Sequence, residues 1–258
     1  MLEIDALKLY GGAVLAVFPR IAAVFLLMPI LPKTVPQYVL KAGLCLALTA
    51  YFYPVALTWS GIKELGEFEF VIYILKELAV GSLIGLGLGS VWWSVSTAGS
   101  IIDTVSGASS ANMLDPVTHQ EQGLYASFLG VLTSTLLLSL GIIQVAVSAL
   151  IWSFKAIPVG GWEFASALPT LNFAVANMNN VFHWALMISA PFIVLTGLID
   201  LAVGLMGRHV AQLASTNLSA GAKAIQCVLL MMIGLVAIME FIASRLEEIL
   251  PKLQALVP

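Results

Sequence analysis

Charge is what this sequence has least of. Only 10% of its 258 residues are Asp, Glu, Lys or Arg, against about a quarter in an ordinary soluble domain. With 60% hydrophobic residues and a mean hydropathy of +1.01, too little polar surface remains to coat a water-soluble core, so a soluble fold is not expected. The net charge is −3, with basic residues scattered along the chain. Nothing supplies the electrostatic footprint that nucleic acid requires, and nucleic acid is not expected as a partner. Cysteine is also scarce: Cys45 and Cys227 each lie in an apolar stretch with no second thiol nearby, which argues against a disulfide framework or a CxxC site and leaves both as packing residues. The three histidines, His119, His183 and His209, lack metal-ligand spacing to any Cys, Asp or Glu, and neither a P-loop nor GxSxG occurs. No catalytic site, metal or cofactor is expected, and the chain reads as a non-enzyme.

What is present is a succession of apolar runs. A helix needs roughly 20 apolar residues to cross a bilayer, and six to seven such stretches can be counted. They run from about Leu9 to Leu31, Tyr38 to Trp59, Phe70 to Ser96 or Asp103, Leu124 to Phe154, Val181 to Met206 and Ala224 to Ala243. The start, MLEIDALK, is acidic and is followed by Arg20 within its apolar run, unlike a cleaved signal peptide, so the first helix is expected to be retained. The 31 residues of Leu124 to Phe154 would extend about 46 Å as a helix, too long for one perpendicular span. A tilt, a kink near Gly141 or an extension outside the membrane would absorb the excess. Gly99 to Gln122, rich in Gly, Ser and Ala around Asp115-Pro116, reads as a loop. Lys155 to Asn180 and Gly207 to Lys223 read as polar connections, and the tail from Ser244 as a separate short amphipathic helix. Lys and Arg fall on both sides under any simple alternation of spans, so charge does not set the orientation.

Charges inside apolar runs cost about 2.5–3.5 kcal/mol each at a helix centre. Arg20, Lys41, Lys76, Glu77, Asp200 and Glu240 are such residues. They must snorkel, pair between helices, face a water-filled pore or meet another subunit. Adjacent Lys76 and Glu77 point about 100° apart on a helix, so each is expected to find a partner elsewhere rather than neutralise the other. Gly81, Gly85 and Gly89 recur every fourth residue, a smooth stripe that lets another helix approach closely.

Several segments in order carry a family resemblance. From Phe18 the chain reads FPRIAAVFLLMPILPKTVPQYVLKAGLCLALTAYFYP, and KELAVGSLIG follows at Lys76 to Gly85. GSIID at Gly99 to Asp103 precedes a small-residue stretch and Asp115-Pro116. Later come Ala190-Pro191, Gly204, Arg208, Gln212 and Lys223. In this succession the chain resembles the SctT/YscT/HrcT/FliR family, export-apparatus proteins of type III secretion systems, and its opening segment is more similar to the injectisome branch than to the flagellar one. It departs from the family at Thr104, Val105 and Ser106, where injectisome members often carry Asn-Gln-Arg, and at Ala211-Gln212-Leu213-Ala214, where Pro-Gln-x-Asn is usual.

The resemblance implies an all-α, hydrophobic multi-helix integral membrane protein of the bacterial inner membrane. Its helical hairpins would assemble into a pseudo-helical export gate at the base of the secretion system, partly projecting toward the periplasm. Residues 1–180 would correspond to an SctR/FliP-type fold and 181–258 to an SctS/FliQ-type hairpin. The implied partners are about five SctR/FliP-type subunits, about four SctS/FliQ-type subunits, an SctU/FlhB-type switch protein near Lys223, an SctV/FlhA-type export ring, inner rod proteins and secreted unfolded proteins. A pore plug is expected from Ser106, Gly107, Ala108, Ser109, Ser110, Ala111, Asn112, Met113, Leu114, Asp115 and Pro116, small residues that can fill and leave a narrow channel at little desolvation cost. Arg20, Lys41, Lys76, Glu77, Asp103, Asp200, Arg208 and Lys223 are expected to make intersubunit or buried polar contacts. The rival readings are a secondary transporter or small-ion channel using Asp200 or Glu77, and a membrane-embedded enzyme, for which no paired catalytic constellation is present.

Overall fold

A computed structural model of the chain describes residues 2–29, 37–57, 67–107, 123–158, 168–207 and 216–254. All regular structure among the described residues is helical: α1 (Leu2–Leu27), α2 (Gln37–Leu57), α3 (Glu67–Ser106), α4 (Leu124–Ser139), α5 (Ile142–Ala156), α6 (Leu168–Gly207) and α7 (Thr216–Gln254). Among the described residues, three helices are long and apolar enough to cross a membrane, over Phe68–Ser106, Val175–Gly207 and Ser219–Glu248. The bent pair α4 and α5 would make a fourth, and α1 and α2 contribute further apolar stretches over Ala16–Leu27 and Val39–Pro54. This is the pattern of a multi-pass membrane protein.

Element boundaries move in four places. Gly99 to Ser106, where loop chemistry overlapped an apolar run allowed to reach Asp103, continues α3, and Gly99 is packing surface: a side chain there would lie 2.5 Å from Ala126 Cα. Leu168 to Asn180, expected as connection, is the start of α6, where Pro169 occupies the first turn and needs no N–H. Thr216 to Lys223, expected as a polar interval, already belongs to α7, and that helix runs on to Gln254 without the separate tail helix expected from its composition. Finally, the 31-residue apolar run breaks at Leu140–Gly141, where Gly141 adopts φ +84°, a left-handed conformation that a side chain disfavours. Of the three ways of absorbing its length, the chain uses the kink.

The chain divides into two compact units, Met1–Ser90 with Leu138–Met178 and Leu246–Pro258, and Val91–Leu137 with Asn179–Arg245. In the first, α1 packs on α2, and the α3 stripe Tyr73, Glu77, Val80, Ile84 and Leu88 is buried at the three-and-four spacing of one helix face. Gly81 and Gly85 lie on the same face. A Cβ on Gly81 would overlap the Arg20 carbonyl oxygen, and one on Gly85 would sit 2.9 Å from that of Val24. At Gly81 and Gly85, two of the three residues of the expected stripe, α3 thus meets the backbone of α1. In the second unit, Val91, Val95, Ala98 and Ile102 of α3 continue the buried spacing, and Trp92 Nε1 donates to the Gly130 carbonyl and Ser134 Oγ of α4 at 3.2 and 2.9 Å. There α6 and α7 form an antiparallel hairpin: Trp184 stacks edge-on against Phe241, Arg245 lies over both rings, and Asp200 meets Lys223. One face of each helix is buried, through Val181, Trp184, Ala185 and Phe192 and through Cys227, Met231, Ile238 and Ile242. Only 17% of the α6 span and 22% of the α7 span is buried, against 44% for α3. Their remaining apolar surface therefore calls for lipid or protein.

Candidate functional site

Among the described residues, two fully buried charges form an ion cluster in the first unit. Arg20 on α1 and Glu77 on α3 have no solvent exposure, and Arg20 Nε donates to Glu77 Oε2 at 2.6 Å. The rest of the guanidinium is used as well. Nη1 donates to Ser153 Oγ at 3.3 Å and Nη2 to the Ile157 carbonyl at 3.1 Å, and the Phe154 ring lies 4.3 Å from the guanidinium carbon. Ile157 caps α5, so the cation also sits at a helix C-terminus, where its charge is favoured. A planar fork with five donors can serve all these groups at once, which a lysine could not. The Tyr73 hydroxyl, one turn before Glu77, donates to the Ala16 carbonyl at 3.1 Å and locks α3 to α1 beside the pair.

Lys76 differs from its expectation. Its Nζ lies 3.1 Å from Glu77 Oε1, close enough to pair in charge, although Oε1 receives no well-aligned hydrogen bond. The flexible four-carbon stem lets the ammonium curl back toward its neighbour despite the 100° between their Cβ directions. Glu77 meets the other half of the expectation, since Oε2 is engaged by Arg20 on another helix.

A second arrangement surrounds the end of α3. Asp103 is 3% exposed, and both carboxylate oxygens accept backbone N–H groups from the start of α4: Oδ1 from Tyr125 at 3.0 Å and Oδ2 from Ala126 at 2.8 Å. Helix N-termini leave such donors without intrahelical partners and favour negative charge. Gly123 is packed so closely that any side chain there would overlap the Asp103 carboxylate. On the α3 side, Ser106 Oγ donates to the Asp103 carbonyl at 3.2 Å, and Gly107 ends the helix at φ +79°. Of the expected plug residues, Ser106 is buried and Gly107 exposed, while Ala108 to Pro116 lie outside the described residues.

The third arrangement is the Asp200–Lys223 pair of the α6–α7 hairpin, 2.6 Å apart, with the Asp200 side chain 56% exposed and that of Lys223 16%. Lys41 is half-buried on α2, and Arg208 lies outside the described residues. Ion pairs thus join Arg20, Lys76 and Glu77 into one cluster and Asp200 to Lys223 in another, with Asp103 in a third place. Sequence reasoning missed Ser153, Phe154 and the Ile157 carbonyl, which lie more than 130 residues from Arg20 and carry no local signal. It also missed Gly123, for which a signal existed: a glycine directly before an apolar helix stands at the capping position yet offers no cap. Among the described residues no group of three or more His, Cys, Asp or Glu could hold a metal ion.

The model of the family described as bacterial export proteins, family 1, matches residues 12–249. The chain belongs to this family. Among its relatives is the Yop proteins translocation protein T of Yersinia pestis, 25% identical over 241 residues, covering 93% of this chain and 92% of the relative. The flagellar biosynthetic protein FliR of Bacillus subtilis is 29% identical over 212 residues, 78% and 77% of the two chains. The surface presentation of antigens protein SpaR of Salmonella typhimurium is 24% identical over 216 residues, 84% and 80%. Family 1 thus spans secretion and flagellar export proteins, in line with the SctT/FliR resemblance carried by the sequence motifs. The Arg20–Glu77 cluster, the Asp103 contacts and the α6–α7 hairpin all fall inside the matched residues.

Proposed function

We propose that the chain is the structural and gating subunit of a type III secretion export gate, through which unfolded proteins cross the bacterial inner membrane. The observation that carries this reading is the family match over residues 12–249, nearly the whole chain. The role is structural rather than catalytic. One copy joins about five SctR/FliP-type and about four SctS/FliQ-type subunits, with the SctU/FlhB-type switch protein, the SctV/FlhA-type ring and the inner rod proteins around them. Residues 1–180 act as the SctR/FliP-like part and 181–258 as the SctS/FliQ-like part, a division supported by the antiparallel α6–α7 hairpin. The sparsely buried apolar faces of that hairpin suit contact with neighbouring helical subunits as well as lipid. Coverage of 93% of the chain by the Yersinia relative, against 78% by the Bacillus FliR, supports the injectisome branch.

In this reading residues 106–116 form the plug that unfolded substrate displaces. Arg20 and Glu77 hold α1, α3 and α5 as one body, and Asp200, Lys223, Lys41 and Arg208 face other subunits. The family does not favour the transporter alternative, and Glu77 is poorly suited to coupling because it is bound to Arg20 and shielded from solvent. Deleting the gene from its host should abolish secretion, and a plasmid copy should restore it. Unchanged secretion in the deletion strain would overturn the proposal.

A further inference from the structure

We propose that Glu240 on α7 is an intersubunit contact, its carboxylate pairing with a lysine or arginine carried on an apolar helix of a neighbouring subunit. The inference rests on the export-gate reading above and names the chemistry by which the α6–α7 hairpin takes its neighbour.

Glu240 is the sole charge between Lys223 and Arg245, inside the span Ser219–Glu248. A hydrocarbon core about 30 Å thick takes about 20 residues. Centred on this span the core ends at Ala243, which leaves Glu240 about one turn inside it. The residue is exposed on α7, and among the described residues it has neither an ion pair nor a hydrogen bond. The acid of the facing helix differs, since Asp200 has Lys223 2.6 Å away. Three, four and seven residues from Glu240, on the same helix face, stand Ala237, Ala243, Val236 and Ile233; Ile233 is 78% exposed and Val236 62%. These surroundings decide what covers the carboxylate. A water-filled passage would leave Ile233 and Val236 wetted. Lipid would hold an ionised group in hydrocarbon, where a short carboxylate stem does not reach the headgroups as a lysine does. An apolar helix with one basic residue suits both parts of the face, because it covers the aliphatic side chains and supplies the opposite charge. Away from water that attraction is strong, and one such pair fixes the register of the two helices as well as the choice of partner.

The test uses the chain co-expressed with the membrane proteins encoded beside it and purified in mild detergent through a tag on this chain, with the recovered partners read by native mass spectrometry. Glu240→Leu and Glu240→Lys are compared with wild type. Each basic residue in the apolar helices of the recovered partners is then changed to Glu, beside Glu240→Lys and beside wild-type Glu240. Glu240→Lys should lower partner recovery about tenfold or more, and Glu240→Leu should lower it less, since it strands the partner's cation without repelling it. One partner reversal should restore recovery beside Glu240→Lys and lower it beside wild-type Glu240. Recovery unchanged in both Glu240 variants would place the carboxylate against lipid or water and overturn the proposal, with the export-gate reading intact. A loss that no reversal relieves would overturn it in the same way. A wild-type chain that recovers no partner would overturn the export-gate reading, and the proposal with it.

Discussion

Replacing Glu77 by glutamine tests how the first unit is held together. At 2.6 Å and an effective dielectric of about 20, the Arg20–Glu77 attraction is about 6 kcal/mol. Desolvating the two ions costs several kcal/mol apiece, so the intact pair is close to neutral against an apolar one. Breaking it is a different matter. The introduced amide could still accept from Arg20, but the guanidinium, with no exposure to water, would lose its closest counter-charge, a loss of about 3–5 kcal/mol. Lys76, only 9% exposed, would lose its carboxylate neighbour in the same step. Ser153, the Ile157 carbonyl and the Phe154 ring would remain, but none carries a negative charge.

The chain contains its own reporter for this loss. Cys45 on α2 is buried, free and in the same unit. In a Cys227→Ser background, labelling of Cys45 by a thiol reagent in detergent reports opening of that unit. Glu77→Gln should speed labelling about a hundredfold or more, since each 1.4 kcal/mol is a factor of ten. Arg20→Met with Glu77→Leu should recover most of the difference, because no stranded charge remains. A labelling rate unchanged by Glu77→Gln, or a double variant that opens as readily as the single one, would refute the reasoning.

Other expectations follow from contacts already described. Gly81→Val drives a side chain into the Arg20 carbonyl and should destabilise the α1–α3 packing by about 1–3 kcal/mol, whereas Gly43→Ala, with nothing within 4 Å, should be neutral or stabilising by up to about 1 kcal/mol; thermal unfolding in detergent compares them. Asp200→Asn breaks a pair whose carboxylate is more than half exposed, so the isolated chain should lose less than about 1 kcal/mol, while the yield of assembled gate should fall if Asp200 faces a neighbouring subunit. Deleting residues 108–114 should raise small-solute leakage through the assembled gate, and unchanged permeability would contradict the plug assignment.

The helices and the membrane class were legible because they depend on local composition. Long uncharged runs demand backbone bonds made within the segment, and in a bilayer a helix provides them. Boundaries were less legible where small polar residues carried two meanings. Gly99 and Ser100 look like turn formers, yet α3 needs a small residue at 99 so that α4 can approach. Arg20 and Glu77 stood out because charge is costly where they lie, and the positions of their Cβ atoms could be argued from helical periodicity. Their remaining partners could not, since Ser153 and Ile157 reach Arg20 only through tertiary packing. Lys76 was misread for a related reason: periodicity fixes the direction of a Cβ, not where a long flexible side chain ends. Asp103 was marked as a polar contact, but its bonding to the start of α4 depends on the chain returning after residue 122.

The measurement that tests the central claim most directly is native mass spectrometry of the tagged chain co-expressed with the membrane proteins encoded beside it and purified in mild detergent. Membership of an export gate predicts one copy of this chain with about five and about four copies of two small hydrophobic partners. A stable monomer or homo-oligomer, with the partners expressed but absent from the complex, would contradict it.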